Sequence, residues 1–541
     1  MNGWKLYLMF GGTKQWTVLQ HNGPLFPEEY HPHYVNVLIQ GMEITLPKLA
    51  EEYATMYARF HNTKYIESSL FKKNFWKDFK HTLGDLAKNI GLDDIDFTPI
   101  IKYLERIKEE KKHITEDEKK RAKHAIIEFE EPYKHCIVDG VQQSIGNYRI
   151  EPPGIFLGRG THPKLGCIKK RVYPEDITLN LSKDAIIPKP NLSGHEWGNI
   201  IHDTNVVWLA TWKDTITNKS KYIFTSLESF FKSKSDEDKF NLARALKRKI
   251  QTIRTSYTEQ LESSDNKTKQ LATALYFIDH LALRVGSSKD TKEEADTVGV
   301  TSLRVEHLSL MENNNIKLDF LGKDSIRFCK KIQVTDKIYI NLQEFIKDKK
   351  NKDELFDLIN ASTLNGYLDS FMKDLTAKVW RTYNASILFQ KELDKIKPEN
   401  LEKISSDERL NYLIAMFNQA NTSVALLCNH QKNVNAGADN MVSKINSRII
   451  ELKNKKLKLT SKKQRKQLKS IDIKIKSLKL KRETKIKMKN VSLGTSKNNY
   501  IDPRIIFSFI KKYDIPPEKL FTLKLIKRFE WASKVEKDYS F

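Results

Sequence analysis

Five side chains stand where neither a solvated surface nor a plain core requires them. Arg284 closes the apolar run HLALRVG, Lys323 sits in the turn DFLGKDS, and Arg381 follows an aromatic in AKVWRTYNAS. His430 ends VALLCNHQ, and Tyr500 lies between Gly494-Thr495-Ser496 and Asp502-Pro503. A buried cation is costly unless an anion pairs with it. Too few carboxylates flank these residues in sequence to pair them all, so a bound anion would fit. Each residue alone has a plainer reading. An Arg at a helix end bonds terminal carbonyls, a Lys in a hairpin turn is solvated, and a lone His or Tyr packs. Residue chemistry by itself is consistent with binding phosphate and no more.

The elements that would position these residues follow from periodicity. Residues 271–283 (LATALYFIDHLAL) are apolar nearly all round and predict a buried helix ahead of Arg284. The Gly turn around Lys323 suits a β-hairpin loop. Helices dominate 231–433 as the mainly helical core, whereas 124–230 shortens into β-type runs such as VVWLA at 206–210. In the first region, 1–123, residues 49–60 have helical spacing, and the charged stretch 102–122 predicts one long solvated helix. Trp16, Leu25-Phe26-Pro27 and Tyr30 read as irregular surface structure.

Charge is concentrated late in the chain. Residues 451–490 carry 15 Lys and 2 Arg against 3 carboxylates, a local +14 out of a total of +25. Within 434–490 the apolar positions Met441, Ile445, Ile449, Leu452 and Leu468, Ile471, Ile475, Leu478 step by three and four. They predict two helices with narrow seams, turning at 460–463 into an antiparallel hairpin; a solvated, partly disordered helix pair is the plainer alternative. The segment 491–541 carries Tyr500.

Length and composition bound the class. A chain of 541 residues, 39% hydrophobic, holds more than one domain with a real core. The net charge of +25 points to a polyanionic partner, most commonly nucleic acid, although ribosomal, membrane-surface and heparin-binding proteins share it. Cys136, Cys167, Cys329 and Cys428 form no CxxC pair, so free thiols in a reducing compartment are expected rather than zinc or disulfides. The apolar run WKLYLMF at 4–10 is too short to span a membrane and reads as an ordinary strand or core segment, so a soluble, intracellular protein is expected.

The runs LALRVG…EEADTVGVTSLRVEH, DFLGKDSIRF, LTAKVWRTYNAS, LLCNHQK and LGTSKNNYIDPR closely resemble the active-site blocks of eukaryotic type IB DNA topoisomerases, in the family's order. Upstream, QWTVLQHNGPLFPEEY, NFWKDF, RIEPPGIFLGRGTHPKLG and YPED resemble the family's clamp-forming blocks. The resemblance runs from about Lys14 to Phe541. It implies a mixed α+β, multidomain fold: a clamp around DNA, a mostly helical tyrosine-recombinase-like catalytic domain, a helical hairpin linker and a small helical C-terminal domain. It implies Arg284, Lys323, Arg381, His430 and Tyr500 as the catalytic set, and Arg159, Lys221, Asp324 and Asn499 as DNA or active-site contacts. Each arginine would offer a planar fork to phosphate, and Lys323 would protonate the departing oxygen. Leu157, Ser287 and Asn498 depart from the family's usual residues.

The implied partners are double-stranded DNA and a camptothecin-type inhibitor at the cleaved complex. The resemblance further implies a monomer in the nucleus (an organellar or viral source staying open), with no metal, no cofactor and no membrane. The family's long charged N-terminal extension is expected to be missing. Two other readings stay open: a site-specific tyrosine recombinase, which would lack the clamp blocks, and a catalytically silent DNA-binding relative, which would be expected to lose a member of the five.

Overall fold

The computed structural model of the chain describes residues 14–396, 401, 406–431, 438–457 and 491–541, together with 468, 471–472, 474–475, 478–479, 482–483 and 485–486. The strand or core segment read at 4–10 and the turn read at 460–463 lie outside the described residues. The chain forms two compact units: Met1–Lys232 with Lys289–Asp296, and Ser233–Ser288 with Thr297–Phe541.

The N-terminal unit has β1 (Leu19–His21), β2 (Val37–Ile39), β3 (Met42–Ile44), α1 (Lys48–Ala58), α2 (Ser69–Phe79), β4 (Ile95–Asp96), α3 (Thr98–Lys112) and α4 (Glu116–Glu130). After these come β5 (His135–Val138), β6 (Val141–Ser144), β7 (Gly154–Ile155), β8 (Ile168–Lys169), β9 (Thr178–Asn180), β10 (Asn199–Ile201), β11 (Trp208–Lys213) and β12 (Ser220–Phe224). The strands pair into small sheets, ordered β1-β5-β6, β3-β2-β4, β7-β8 and β10-β9-β11-β12. One core packs α1 on α2, where Tyr57 stacks on Phe75 at 4.4 Å between ring centroids. A second core gathers Trp16, Leu19, Phe26, Leu179 and Ile223.

Two expectations are corrected here. The charged stretch is not one helix but two, because Thr115 stops α3 and starts α4. Its hydroxyl accepts the Glu118 N–H at 3.3 Å, and the Glu118 carboxylate accepts the Thr115 N–H at 2.9 Å. Trp16, Leu25 and Phe26 are not surface loop but core. An irregular segment can be buried when its polar groups find distant partners. Here Trp16 Nε1 donates to the Val206 carbonyl at 2.7 Å, and the Leu25 N–H to that of Tyr148 at 2.8 Å.

The second unit is mixed but mainly helical. Its elements are α5 (Phe230–Gln260), α6 (Asn266–Leu281), β13 (Leu308–Met311), β14 (Asn315–Gly322), β15 (Ile326–Gln333), α7 (Asp336–Ile346), α8 (Ala361–Phe371), α9 (Ala377–Leu393) and α10 (Ser406–Leu427). They are followed by α11 (Ala438–Leu457), α12 (Leu493–Asn499), α13 (Pro503–Tyr513) and α14 (Leu523–Arg528). One core runs through α5, α6, α9, α10 and α13, and includes Phe240, Phe277, Trp380, Phe417 and Phe509.

On α11, Ile449 and Leu452 pack against Ile471 and Ile475 of the following helical stretch, with Ile445 and Leu478 beside them. Lys456 meets Asp472 and Arg482 meets Asn446, so the partners run in opposite directions, as an antiparallel pair requires. Met441, expected on the seam, is exposed.

Candidate active site

The left-handed region at two helix ends aims two of the five residues. Helix α6 stops at Ala282, whose φ of 49° turns the chain out of the helix, so Arg284 lies beyond the helix rather than closing it. The segment that follows is then fixed from one side: Val300 N–H donates to the Arg284 carbonyl at 2.9 Å and Thr301 N–H to that of Val285 at 2.7 Å. Gly286 and Gly299 make this pairing possible. A Cβ on Gly299 would fall 2.5 Å from the Gly286 backbone and 2.7 Å from the Arg284 carbonyl. At the end of α10, Asn429 takes φ 51°, and His430 N–H returns to the Ala425 carbonyl at 2.8 Å. His430 is thereby turned inward and is 4% exposed.

Lys323 stands at the tip of the β14–β15 hairpin, where Gly322 pairs with Ile326. Asp324 and Ser325 take φ of 66° and 58°, the left-handed conformation that closes so short a loop. The hairpin expected around Lys323 is therefore present. Arg284, Lys323 and Arg381 line one cleft with Phe320, Phe328 and Cys428.

Tyr500 is set by three helices. Its N–H donates to the Ser496 carbonyl at 2.9 Å, closing α12. Ser386 of α9 donates its hydroxyl to the Tyr500 carbonyl at 3.2 Å and accepts the Asp502 N–H at 3.0 Å. Asp502 caps α13 by accepting the Arg504 N–H at 2.9 Å, with Pro503 at the first helical position. The ring lies 5.0 Å from the Arg381 guanidinium carbon and 5.2 Å from the His430 ring. Arg284 is within hydrogen-bonding reach of the phenol.

The electrostatics follow from that company. Burial pushes the Tyr500 phenol up, but the Arg381 and Arg284 charges outweigh it and hold its pKa below the usual phenol value. Burial, joined by the Arg381 charge, pulls Arg284 below the usual guanidinium value. His430 falls to about 3, from burial first and then from the charges of Arg381 and Arg284, so its ring is neutral at physiological pH. Ser496 Oγ lies 2.7 Å from His430 Nδ1, and as the donor there it leaves Nε2 as the N–H.

Among the described residues, His430 Nε2 and Arg381 Nε are both buried without a hydrogen-bond partner. Arg381 does not present the open fork expected of it. One terminal nitrogen donates to the Ala282 carbonyl and the other to that of Cys428, at 3.4 Å in the second case.

The other four residues are less uniform. Asn499, next to the tyrosine, is exposed and donates to the Thr495 carbonyl at 3.1 Å. Asp324 flanks Lys323 and acts on the Arg284 charge. Arg159 and Lys221 belong to the N-terminal unit. Arg159 is exposed between the left-handed Gly158 and Gly160. Lys221 is held by carboxylates, at 2.9 Å from Asp214 and 3.2 Å from Glu151. Of the departures, Leu157 packs on the α1–α2 core, Ser287 is exposed, and Asn498 buries an Oδ1 with no partner among the described residues.

Ser386, Ser496 and Lys378, whose charge also acts on Tyr500, were not singled out by sequence. Only Ser496, four residues before the tyrosine, carried a local signal.

Three family models cover nearly all of the chain. Residues 14–225 match the eukaryotic DNA topoisomerase I DNA binding fragment, 228–467 its catalytic core, and 472–541 the C-terminal topoisomerase domain. DNA topoisomerase 1 of Caenorhabditis elegans is 40% identical over 98% of this chain and 68% of its own length. DNA topoisomerase 1 of Homo sapiens is 38% identical over 97% and 72%. The chain belongs to the eukaryotic DNA topoisomerase I family. It spans 60% of the length of DNA topoisomerase 1 beta of Arabidopsis thaliana, at 40% identity.

Proposed function

We propose that this chain is a type IB DNA topoisomerase, relaxing supercoiled duplex DNA by cutting and resealing one strand through Tyr500, in the nucleus. One observation carries the reading: a phenol of lowered pKa between two guanidiniums, beside two buried donors, His430 Nε2 and Arg381 Nε, that have no partner among the described residues. A buried donor without a partner costs about 1–3 kcal/mol, and a phosphate oxygen would satisfy both.

The Tyr500 oxygen attacks a backbone phosphorus and its proton passes to solvent. The bond from phosphorus to the 5′ oxygen breaks, leaving a 3′-phosphotyrosine, and Lys323 protonates the departing oxygen. Arg284, Arg381 and His430 Nε2 stabilise the charge gathering on the non-bridging oxygens. Exchanging one phosphodiester for another conserves the bond energy, so the reverse step reseals the strand without ATP. These cationic and imidazole donors supply the charge stabilisation, and the reaction as proposed asks for no metal. Between the two steps the cut strand turns about the intact one. Binding is expected mainly through phosphates, with weak sequence preference. The chain would act as a monomer, and a camptothecin-type inhibitor would sit at the cleaved complex near Asn499.

The test is relaxation of supercoiled plasmid in EDTA without ATP, comparing wild type with Tyr500→Phe. Relaxation by the wild type alone, with duplex binding retained in the variant, is the expected result. No relaxation by the wild type, or undiminished relaxation by the variant, overturns the reading.

A further inference from the structure

Outside the proposed catalytic set, the second unit buries a charged group that reaches the nucleophile's backbone. Asp236 of α5 is 1% exposed and accepts from Arg528 Nε at 2.7 Å; Arg528, at the end of α14, is 3% exposed. The other Asp236 oxygen lies 3.2 Å from the ammonium of Lys239, one turn further along α5. Lys239 also donates to the carbonyl of Asn499 at 3.0 Å. That carbonyl belongs to the peptide bond joining Asn499 to Tyr500. Lys239 additionally lies over the Phe240 ring at 4.0 Å, so its stem is packed and its direction is set.

We infer that Lys239, aimed by Asp236, is a positioning residue that holds the Asn499–Tyr500 peptide so that the phenol meets phosphorus in line; this rests on the reading of Tyr500 as nucleophile. The peptide on the other side of Tyr500 is already held by Ser386. Without Lys239 the Asn499–Tyr500 peptide would be held only through its N–H, on the Ser496 carbonyl, and its plane could tilt. Mislocation of a reacting group by about 1 Å lowers a rate about a hundredfold. Lys239 acts on the carbonyl of the peptide before Tyr500, so its effect passes through the backbone and not through the acidity of the nucleophile.

Lys239→Met tests this with little collateral damage, since it keeps an apolar stem over Phe240 and leaves Asp236 paired with Arg528. The assay is single-turnover formation of the covalent protein–DNA complex on a duplex whose cleaved end dissociates. Duplex Kd, thermal unfolding and the pH profile are measured beside it. The expected result is a cleavage rate down about ten- to a hundredfold, with Kd unchanged, the pH profile unshifted and the rate restored in Lys239→Arg.

A cleavage rate within twofold of wild type, or a slow rate that Lys239→Arg does not restore, overturns the inference. If Lys239→Met does not fold, Lys239→Gln, which keeps one donor for the carbonyl, must fall between Arg and wild type on one side and no cleavage on the other; equality with wild type overturns it. Failure of the wild type itself to form a covalent complex defeats the proposed function and, with it, this role.

Discussion

Replacing Ser496 by Ala is the sharpest probe of how the imidazole is used. The Ser496 hydroxyl is wholly buried and lies 2.7 Å from His430 Nδ1. Its removal takes away the group that makes Nε2 the protonated nitrogen, so part of the population would turn a lone pair toward the phosphate. A net buried hydrogen bond is worth about 1 kcal/mol. At about 1.4 kcal/mol for each factor of ten in rate, cleavage should slow by about five- to tenfold. Folding should lose about 1–3 kcal/mol as well, because Nδ1 is left buried and unpartnered.

The assay is single-turnover cleavage from pH 6 to pH 9, paired with thermal unfolding. Neither profile should show a histidine ionisation, since burial and the two arginine charges, not Ser496, hold the ring neutral. A titration emerging near neutrality in the variant would refute the electrostatic account of His430. A rate unchanged within twofold would refute the tautomer account.

Three further outcomes follow from the same geometry. Gly299→Ala should cost about 1–3 kcal/mol of stability by overpacking and slow cleavage more than binding, because its Cβ would press on the segment that carries Arg284; thermal melts beside cleavage rates check this. His21 and His430 are lowered to about 4 and about 3 by burial. Their folded values lie below the unfolded one, so their stability is present above about pH 6.5 and lost as pH falls towards 4 and then 3, at about 1.4 kcal/mol per pH unit for each. Urea unfolding at pH 7.5, 6 and 5 should therefore show a falling midpoint, and a midpoint constant across that range contradicts it. Replacing 434–490 by a short flexible link should speed plasmid relaxation, through loss of the +14 stretch 451–490 beside rotating DNA. The difference should shrink as salt rises; equal rates at every salt concentration refute a braking role.

What was legible in the sequence was what residue type and short spacing encode. The Lys323 hairpin could be read because Gly-Lys-Asp-Ser interrupts two alternating runs. The seam of the basic hairpin could be read because isoleucines and leucines recur every three or four residues. Backbone partners leave no such mark. The carbonyls that take up the terminal nitrogens of Arg381 belong to Ala282 and Cys428, 99 and 47 residues away. Any residue type could have supplied them, so the sequence suggested an open fork where the fold uses much of it. The pairing of Lys221 is hidden for a related reason: Glu151 lies 70 residues off, and no local pattern ties the two.

The same blindness hid Lys239, whose acceptor is a peptide carbonyl 260 residues away. This bears on how the site works. The groups proposed to meet DNA were nameable from their types. The groups that hold them, through Ala282, Cys428, Asn499 and Tyr500 carbonyls, act on atoms every residue has. A substitution at a carbonyl donor should therefore disturb cleavage without altering any residue that touches the phosphate, and only the fold tells which positions those are.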